Sequence, residues 1–289
     1  MCIRDRAAPA HLFAPAAAVR VRPAGFTGTP LPKDEPMAPN PPAGADIDYA
    51  VDGAAAGPVA IRIVDAQERT VREYGSEDRL PATDLAKIRV APEWAAAPSA
   101  PPTTPGMHRF VWPIRYPAPA ALRDGNPYAD GVWAPPGRYT VELTVGSHQR
   151  TQPLTILPDP RVTMTAEHYA RQFALARRIE ASSARVAAAV TAADAIHKRL
   201  AADGPSDLDL RVQALLGPDF GSAPAAPPPR GLVPLRTLAG KLARFLDAVD
   251  GADAPPSPDA EAGFAQIEPV VDAALTAWTA LQAQVPSAP

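Results

Sequence analysis

Apolar and polar residues alternate strictly in Asp46-Ile-Asp-Tyr-Ala-Val51. A period of two puts one residue class on each face of an extended chain, so this segment predicts a half-buried strand. Gly57–Asp65 and Thr70–Tyr74 predict two more, joined by the polar, hairpin-length turn Asp65-Ala-Gln-Glu-Arg69. Gly106–Tyr116 predicts a single further strand, with Phe110, Trp112 and Ile114 on one face. The clearest hairpin climbs through Arg138-Tyr-Thr-Val-Glu-Leu-Thr-Val145, turns at Gly146-Ser147 and returns from His148 to Ile156. There Tyr139, Val141, Leu143 and Val145 point one way, and Gly-Ser suits a two-residue turn. His11 to Val21 reads as one short strand, and residues 76–105 and 117–137 as loops. Six or so antiparallel strands, each with one apolar face, predict a β-sandwich of immunoglobulin or fibronectin type.

After Thr165, a good N-cap, the period changes. Tyr169, Phe173, Ala176, Ile179, Val186, Val190, Ala193, Ile196 and Leu200 recur every three or four residues. They predict an amphipathic helix of roughly 35–38 residues, over about 50 Å long. Asp203-Gly-Pro205 ends it. Shorter helices are predicted from Asp207 to Leu216, from Pro234 to Val249, and after Pro258, the last carrying an internal Pro269. Long helices with short connections predict an antiparallel helical bundle.

Composition sharpens the division. Of 38 prolines, 25 lie in residues 1–160, and none lies between Pro160 and Pro205. Proline removes a hydrogen bond and clashes inside a helix, so the first half is left to strands and loops. The expected organisation is α+β in two domains, with a foreign start and extended Pro-rich linker over 1–45, a sandwich over 46–158 and a helical domain over 163–285. Met1-Cys-Ile-Arg-Asp-Arg6 differs from the Ala/Pro-rich sequence behind it and reads as translated adapter sequence, so Cys2 is assigned no role. As the only cysteine, it also excludes an internal disulfide framework and a Cys-based zinc site. A net charge of −3 gives no electrostatic footprint for nucleic acid or an anionic membrane. No apolar run reaches the ~18 residues of a membrane span, and no signal peptide is visible.

Candidate chemistry is sparse. The chain has no phosphate-binding Gly-rich loop, no Gly-x-Ser-x-Gly elbow and no His-Glu-x-x-His pair, so no catalytic residue and no cofactor are expected. His108 and His148 lack a third ligand nearby and read as solvent-facing strand residues rather than a metal pair. Asp124, Asn126 and Asp130 offer hard oxygens in one loop, but their spacing misses the EF-hand and suits ordinary turns. Asp46/Asp48 read as the solvent face of a strand, and Asp207/Asp209 as acidic residues at a helix N-terminus. Trp112 and Tyr139 occupy core-facing positions. Trp94, Tyr128 and Trp133 lie in loops, where they either anchor the loop or stack on the rings of a glycan.

Several strings occur in a fixed order: Asn40-Pro-Pro-Ala-Gly44, Ile47-Asp-Tyr49, Gly106-Met-His-Arg-Phe-Val-Trp112, Arg115-Tyr-Pro117, Pro136-Gly-Arg-Tyr-Thr-Val-Glu-Leu-Thr-Val145, Gln152-Pro-Leu154, Asp159-Pro-Arg-Val162 and Gln172-Phe-x-Leu175. Together they resemble the C-terminal region of large bacterial β-propeller proteins of the sortilin-like kind, whose neuraminidase-type repeats carry a glycosyl-hydrolase label. His11-Leu-Phe-Ala-Pro15 is similar to the end of the last propeller blade. Pro113 stands where the family usually has Asp. The resemblance implies a periplasmic or extracellular protein with a propeller, then an immunoglobulin-like sandwich, then helices. It carries no catalytic residue onto these positions. The expected function is a non-catalytic accessory and interaction module whose partner is the missing N-terminal propeller. The alternatives are a carbohydrate-binding module with a glycan or protein partner, and part of an enzyme whose site lies in that propeller.

Overall fold

The structure, a computed structural model, describes residues 9–22, 43–53, 57–82, 99–202, 204, 206–219, 221–224 and 226–286. The expected foreign start, the Pro30–Pro42 stretch and Trp94 lie outside them. Among the described residues the chain is mixed α+β. Strands β1 (Ala10–Leu12), β2 (Ala18–Arg20), β3 (Ala45–Val51), β4 (Val59–Asp65), β5 (Thr70–Gly75), β6 (Gly106–Trp112), β7 (Arg115–Pro117), β8 (Asp130–Trp133), β9 (Gly137–Val145) and β10 (His148–Pro158) precede the helices α1 (Ala166–Ala202), α2 (Asp207–Leu216), α3 (Leu235–Asp250) and α4 (Pro258–Gln282). They fall into two compact units, one up to Pro117 with Gly125–Ala166, the other Ala118–Asp124 with Glu167 onward.

In the strand-rich unit the hairpin pairs as its sequence requires, Val145 opposite His148 across Gly146-Ser147. Gly146 has φ 55, the positive value demanded at the first position of such a turn. A Cβ on Gly57 would lie 2.6 Å from Gly146 Cα, so glycine is needed where the chain entering β4 passes under the turn. Three sheets result, ordered β1-β3-β6, β2-β10-β9-β4-β5 and β7-β8. All pairs are antiparallel except β2 with β10. Alternation sends Ile47 and Tyr49 of β3, Ile61 and Ile63 of β4, Trp112 of β6, and Val141 and Leu143 of β9 into one core, each with 0 % exposure. Burying each such side chain contributes about 1.5–3 kcal/mol. Trp112 meets Tyr139 edge-on at 5.3 Å.

Three expectations change here. Within the expected linker over 1–45, residues 10–12 and 18–20 form two strands, one in each large sheet. The single strand expected over 106–116 is two: Pro113 has no N–H to donate, and Ile114 takes φ 58 while staying buried. The loop expected over 117–137 contains β8, which pairs with β7, and Ala134 N–H continues that pairing to Ile114 O at 2.9 Å.

In the helical unit α1 buries Gln172, Ile179, Val186 and Ala193, each seven residues from the last, with Leu175, Ser182 and Ala189 in a second row. Helix α4 does the same with Phe264, Val271 and Trp278, flanked by Ala274 and Leu281. A seven-residue repeat keeps one seam facing a partner helix. Arg171, Arg178 and Arg185, each one position before that row, pair with Glu261, Glu268 and Asp272 at 2.8, 2.5 and 2.8 Å. Both series ascend, so α1 and α4 run parallel. Helix α3 runs against α1: Gln172 reaches the carbonyls of Val249 and Ala252, while Asp194 meets Arg236. Gln172, 1 % exposed, thereby satisfies carbonyls that the end of α3 leaves open. Among the described residues no helix is long and apolar enough to cross a membrane.

Candidate functional site

Most of the residues singled out in the sequence lie in the strand-rich unit, and they serve different ends. Trp133 ends β8 with 6 % exposure, and the guanidinium groups of Arg22 and Arg115 lie 5.0 and 4.2 Å from its ring centroid. It therefore offers a ligand little open ring. Tyr128 is half-buried; its hydroxyl donates to Asp78 Oδ2 at 2.9 Å, and its ring stands edge-on to Tyr74 at 4.9 Å. Burial and the Asp78 carboxylate push its pKa above the usual tyrosine range. Asn126 Oδ1 accepts from Tyr128 N–H at 2.9 Å, closing an Asx turn, and Asp130 pairs with Arg72 at 3.3 Å. Two of the three oxygens in the calcium-like loop are thus engaged in holding the loop itself.

Arg72 is the residue the sequence conceals. It lies on the core side of β5 with its side chain 1 % exposed. It donates to Tyr116 O at 2.7 Å and Tyr128 O at 2.8 Å, tying the β7–β8 loop to β5. A buried guanidinium is retained where all its hydrogen bonds are met. His108 of β6 has its Nε2 2.6 Å from Thr104 O in the preceding segment, whereas His148 begins β10 in the other sheet. Asp46 and Asp48 share Arg109 on the outward face of β3, Asp48 through two bonds of 2.7 and 2.8 Å. That bidentate pairing holds the Asp48 carboxyl below its usual range. Among the described residues no group of three or more His, Cys, Asp or Glu is placed to hold a metal ion.

A polar cleft lies in the helical unit, between α1, the end of α2, the loop after it and the first turn of α3. It has a volume of about 460 Å³. Ser206 caps α2, its Oγ accepting from Asp209 N–H at 3.1 Å. Asp207 and Asp209 thus occupy the acidic first turn expected of them, but Asp209 turns inward and is 6 % exposed. Its Oδ1 lies 2.7 Å from His197 Nδ1, and its Oδ2 accepts from Gln213 Nε2 at 2.7 Å. Arg236 crosses the floor, donating to Gly217 O at 2.7 Å and Asp194 Oδ1 at 2.6 Å, with Asp219 at 3.0 Å. Lys198 and Ser222 line the remaining walls. A second hollow of about 530 Å³, between α2, α4 and residues 226–232, is apolar and rimmed by Arg211.

The signal for the His197–Asp209 pair is faint but present. His197 stands seven residues before Gly204 and Asp209 five after it, and residues nearly equidistant from a tight helix–helix turn face each other. Comparison with protein families, with curated proteins and with solved structures finds no match for this chain.

Proposed function

We propose that the chain is a non-catalytic accessory and interaction module, an immunoglobulin-like sandwich followed by a helical bundle, within a larger extracytoplasmic β-propeller protein. The topology of the strand-rich unit carries this reading. Its entering segment pairs antiparallel with β3 in one sheet, then crosses to pair parallel with β10, the last strand, in the other. A first segment divided between two sheets covers an edge strand in each, which is compatible with an immunoglobulin-type sandwich. Tyr139 supports the same reading. It stands near the start of β9, and its hydroxyl donates back to Pro135 O at 2.6 Å, the geometry of a tyrosine corner. The seven-residue repeats of α1 and α4 support the bundle.

Activity does not follow from such a fold, so the non-catalytic reading rests on side chains. In the strand-rich unit Arg20, Arg72 and Tyr128 bind backbone carbonyls, and Trp133 packs in the core. The ordered strings from Asn40 to Leu175 supply the propeller context.

The test has two arms. The purified chain, offered aryl glycosides, oligosaccharides and peptides, is expected to turn over none. In the source genome, the DNA upstream of the Ala7 codon is expected to continue in frame into propeller blades, and the expressed propeller is expected to bind the purified chain. Turnover by the chain, or an upstream frame without blades, overturns the reading.

A further inference from the structure

We propose that the polar cleft beside His197 binds a neutral, polyhydroxylated small molecule of the sugar or polyol class, held by a hydroxyl that donates to His197 Nε2. The argument begins with the ring. A carboxylate only accepts hydrogen bonds, so the 2.7 Å contact from His197 Nδ1 to Asp209 places the ring hydrogen on Nδ1. With that one hydrogen on the ring, the lone pair is on Nε2, at the edge turned away from Asp209. Gln213 and the Ser206 cap fix Asp209 in turn, so the acceptor is held in one direction before any ligand arrives. Among the described residues Nε2 has no partner, and His197 lines the cleft with its side chain 32 % exposed.

Charge decides the class of ligand. Arg236 is paired with Asp194 and Asp219 and bonded to the Gly217 carbonyl, and with Lys198 the lining carries two cations and two carboxylates. Asp209 is occupied by His197 and Gln213. The cleft therefore presents no field of one sign to draw in a strong anion or polyamine. Among the described residues His197 is the one aromatic ring that lines it. What it does present is separated single donors and acceptors: the Nε2 lone pair, the Lys198 ammonium and the Ser222 hydroxyl. A hydroxyl group donates and accepts at the same atom, and a polyol repeats it at short intervals. The volume of about 460 Å³ lies within the range of small-molecule sites.

The proposal does not rest on the accessory-module reading, because binding here is independent of a propeller and of turnover. The experiment is titration of the isotope-labelled full chain with hexoses, disaccharides, inositol and glycerol, following the His197 ring signals by NMR and heat by calorimetry. Saturable movement of the His197 signals with at least one neutral polyol is expected. His197→Gln should weaken that binding about tenfold, the loss of one well-formed hydrogen bond. Ser222→Ala, outside the Asp209 network, serves as a second variant that leaves the fold intact and should also weaken binding. If no neutral polyol moves His197 at about 50 mM, a level that detects even weak ligands, the proposal fails. It fails equally if only acetate, phosphate or spermidine binds, or if both variants bind as the parent does.

Discussion

Two buried phenols sit in opposite situations. Tyr139, 7 % exposed, donates its hydroxyl to Pro135 O at 2.6 Å. Tyr74, 3 % exposed, packs against Phe110 at 4.6 Å, but its hydroxyl meets no acceptor among the described residues. Removing the first oxygen deletes a hydrogen bond and strands a carbonyl; removing the second deletes only a desolvated group. Tyr139→Phe should therefore cost about 1–1.5 kcal/mol, whereas Tyr74→Phe should be neutral or stabilise by up to about 1 kcal/mol. Urea unfolding of the two variants checks this, and equal losses would contradict it. The sequence distinguishes neither case, since both residues are apolar-face aromatics in strands. Arg72 is hidden for the same reason: a charged residue among alternating apolar ones reads as solvent-facing. Its burial depends on two carbonyls that arrive from residues 44 and 56 positions away.

At the scale of elements, pattern and structure agree wherever one face meets one core. The β9–β10 hairpin and the four helices were legible because period and punctuation coincide. What alternation cannot encode is the break after Pro113, where Ile114 adopts φ 58 yet keeps its side chain in the core. Nor does a three-to-four spacing reveal the direction of a partner helix. The parallel pairing of α1 with α4 becomes visible only through the arginine series and its acidic partners. Pro269 is the local flaw in α4. It lies inside the helix on the exposed side, where it removes one backbone hydrogen bond without contributing core packing. Pro269→Ala should restore that bond and raise stability by about 1–2 kcal/mol, less than the full interior-proline penalty because the helix is already adapted to it. A higher Tm with unchanged helical circular dichroism is the expected result. A fall in Tm would contradict this.

The whole molecule should be most stable over a broad window bounded by carboxylates on one side and phenols on the other. Hydrogen bonds from the Arg161 side chain and N–H hold the Asp159 carboxyl at about 2. Arg109 lowers Asp48. At Asp65 partial desolvation acts upward, but it is outweighed by hydrogen bonds from the Arg69 side chain and the N–H groups of Arg69 and Gln67. These three groups bind protons more weakly folded than unfolded. Their contribution is complete above the unfolded value of about 4 and disappears as pH falls toward about 2. The tyrosines act in the opposite sense. Burial raises Tyr49, Tyr74, Tyr128 and Tyr139 well above their ordinary value. Their neutral forms suit the fold, so nothing is lost until the unfolded phenols ionise near pH 10, and stability then falls as pH rises further. Burial raises the Asp130 carboxyl and sets it against the three lowered carboxyls, so Tm measured from pH 2 to 12 should level off once the carboxylates have titrated and hold to about pH 10. The alkaline limb should be shallower in Tyr74→Phe, which removes one of the four phenols without removing a hydrogen bond. An alkaline limb of unchanged slope in that variant would show that Tyr74 ionises as readily folded as unfolded, and would place its hydroxyl in contact with solvent or a partner.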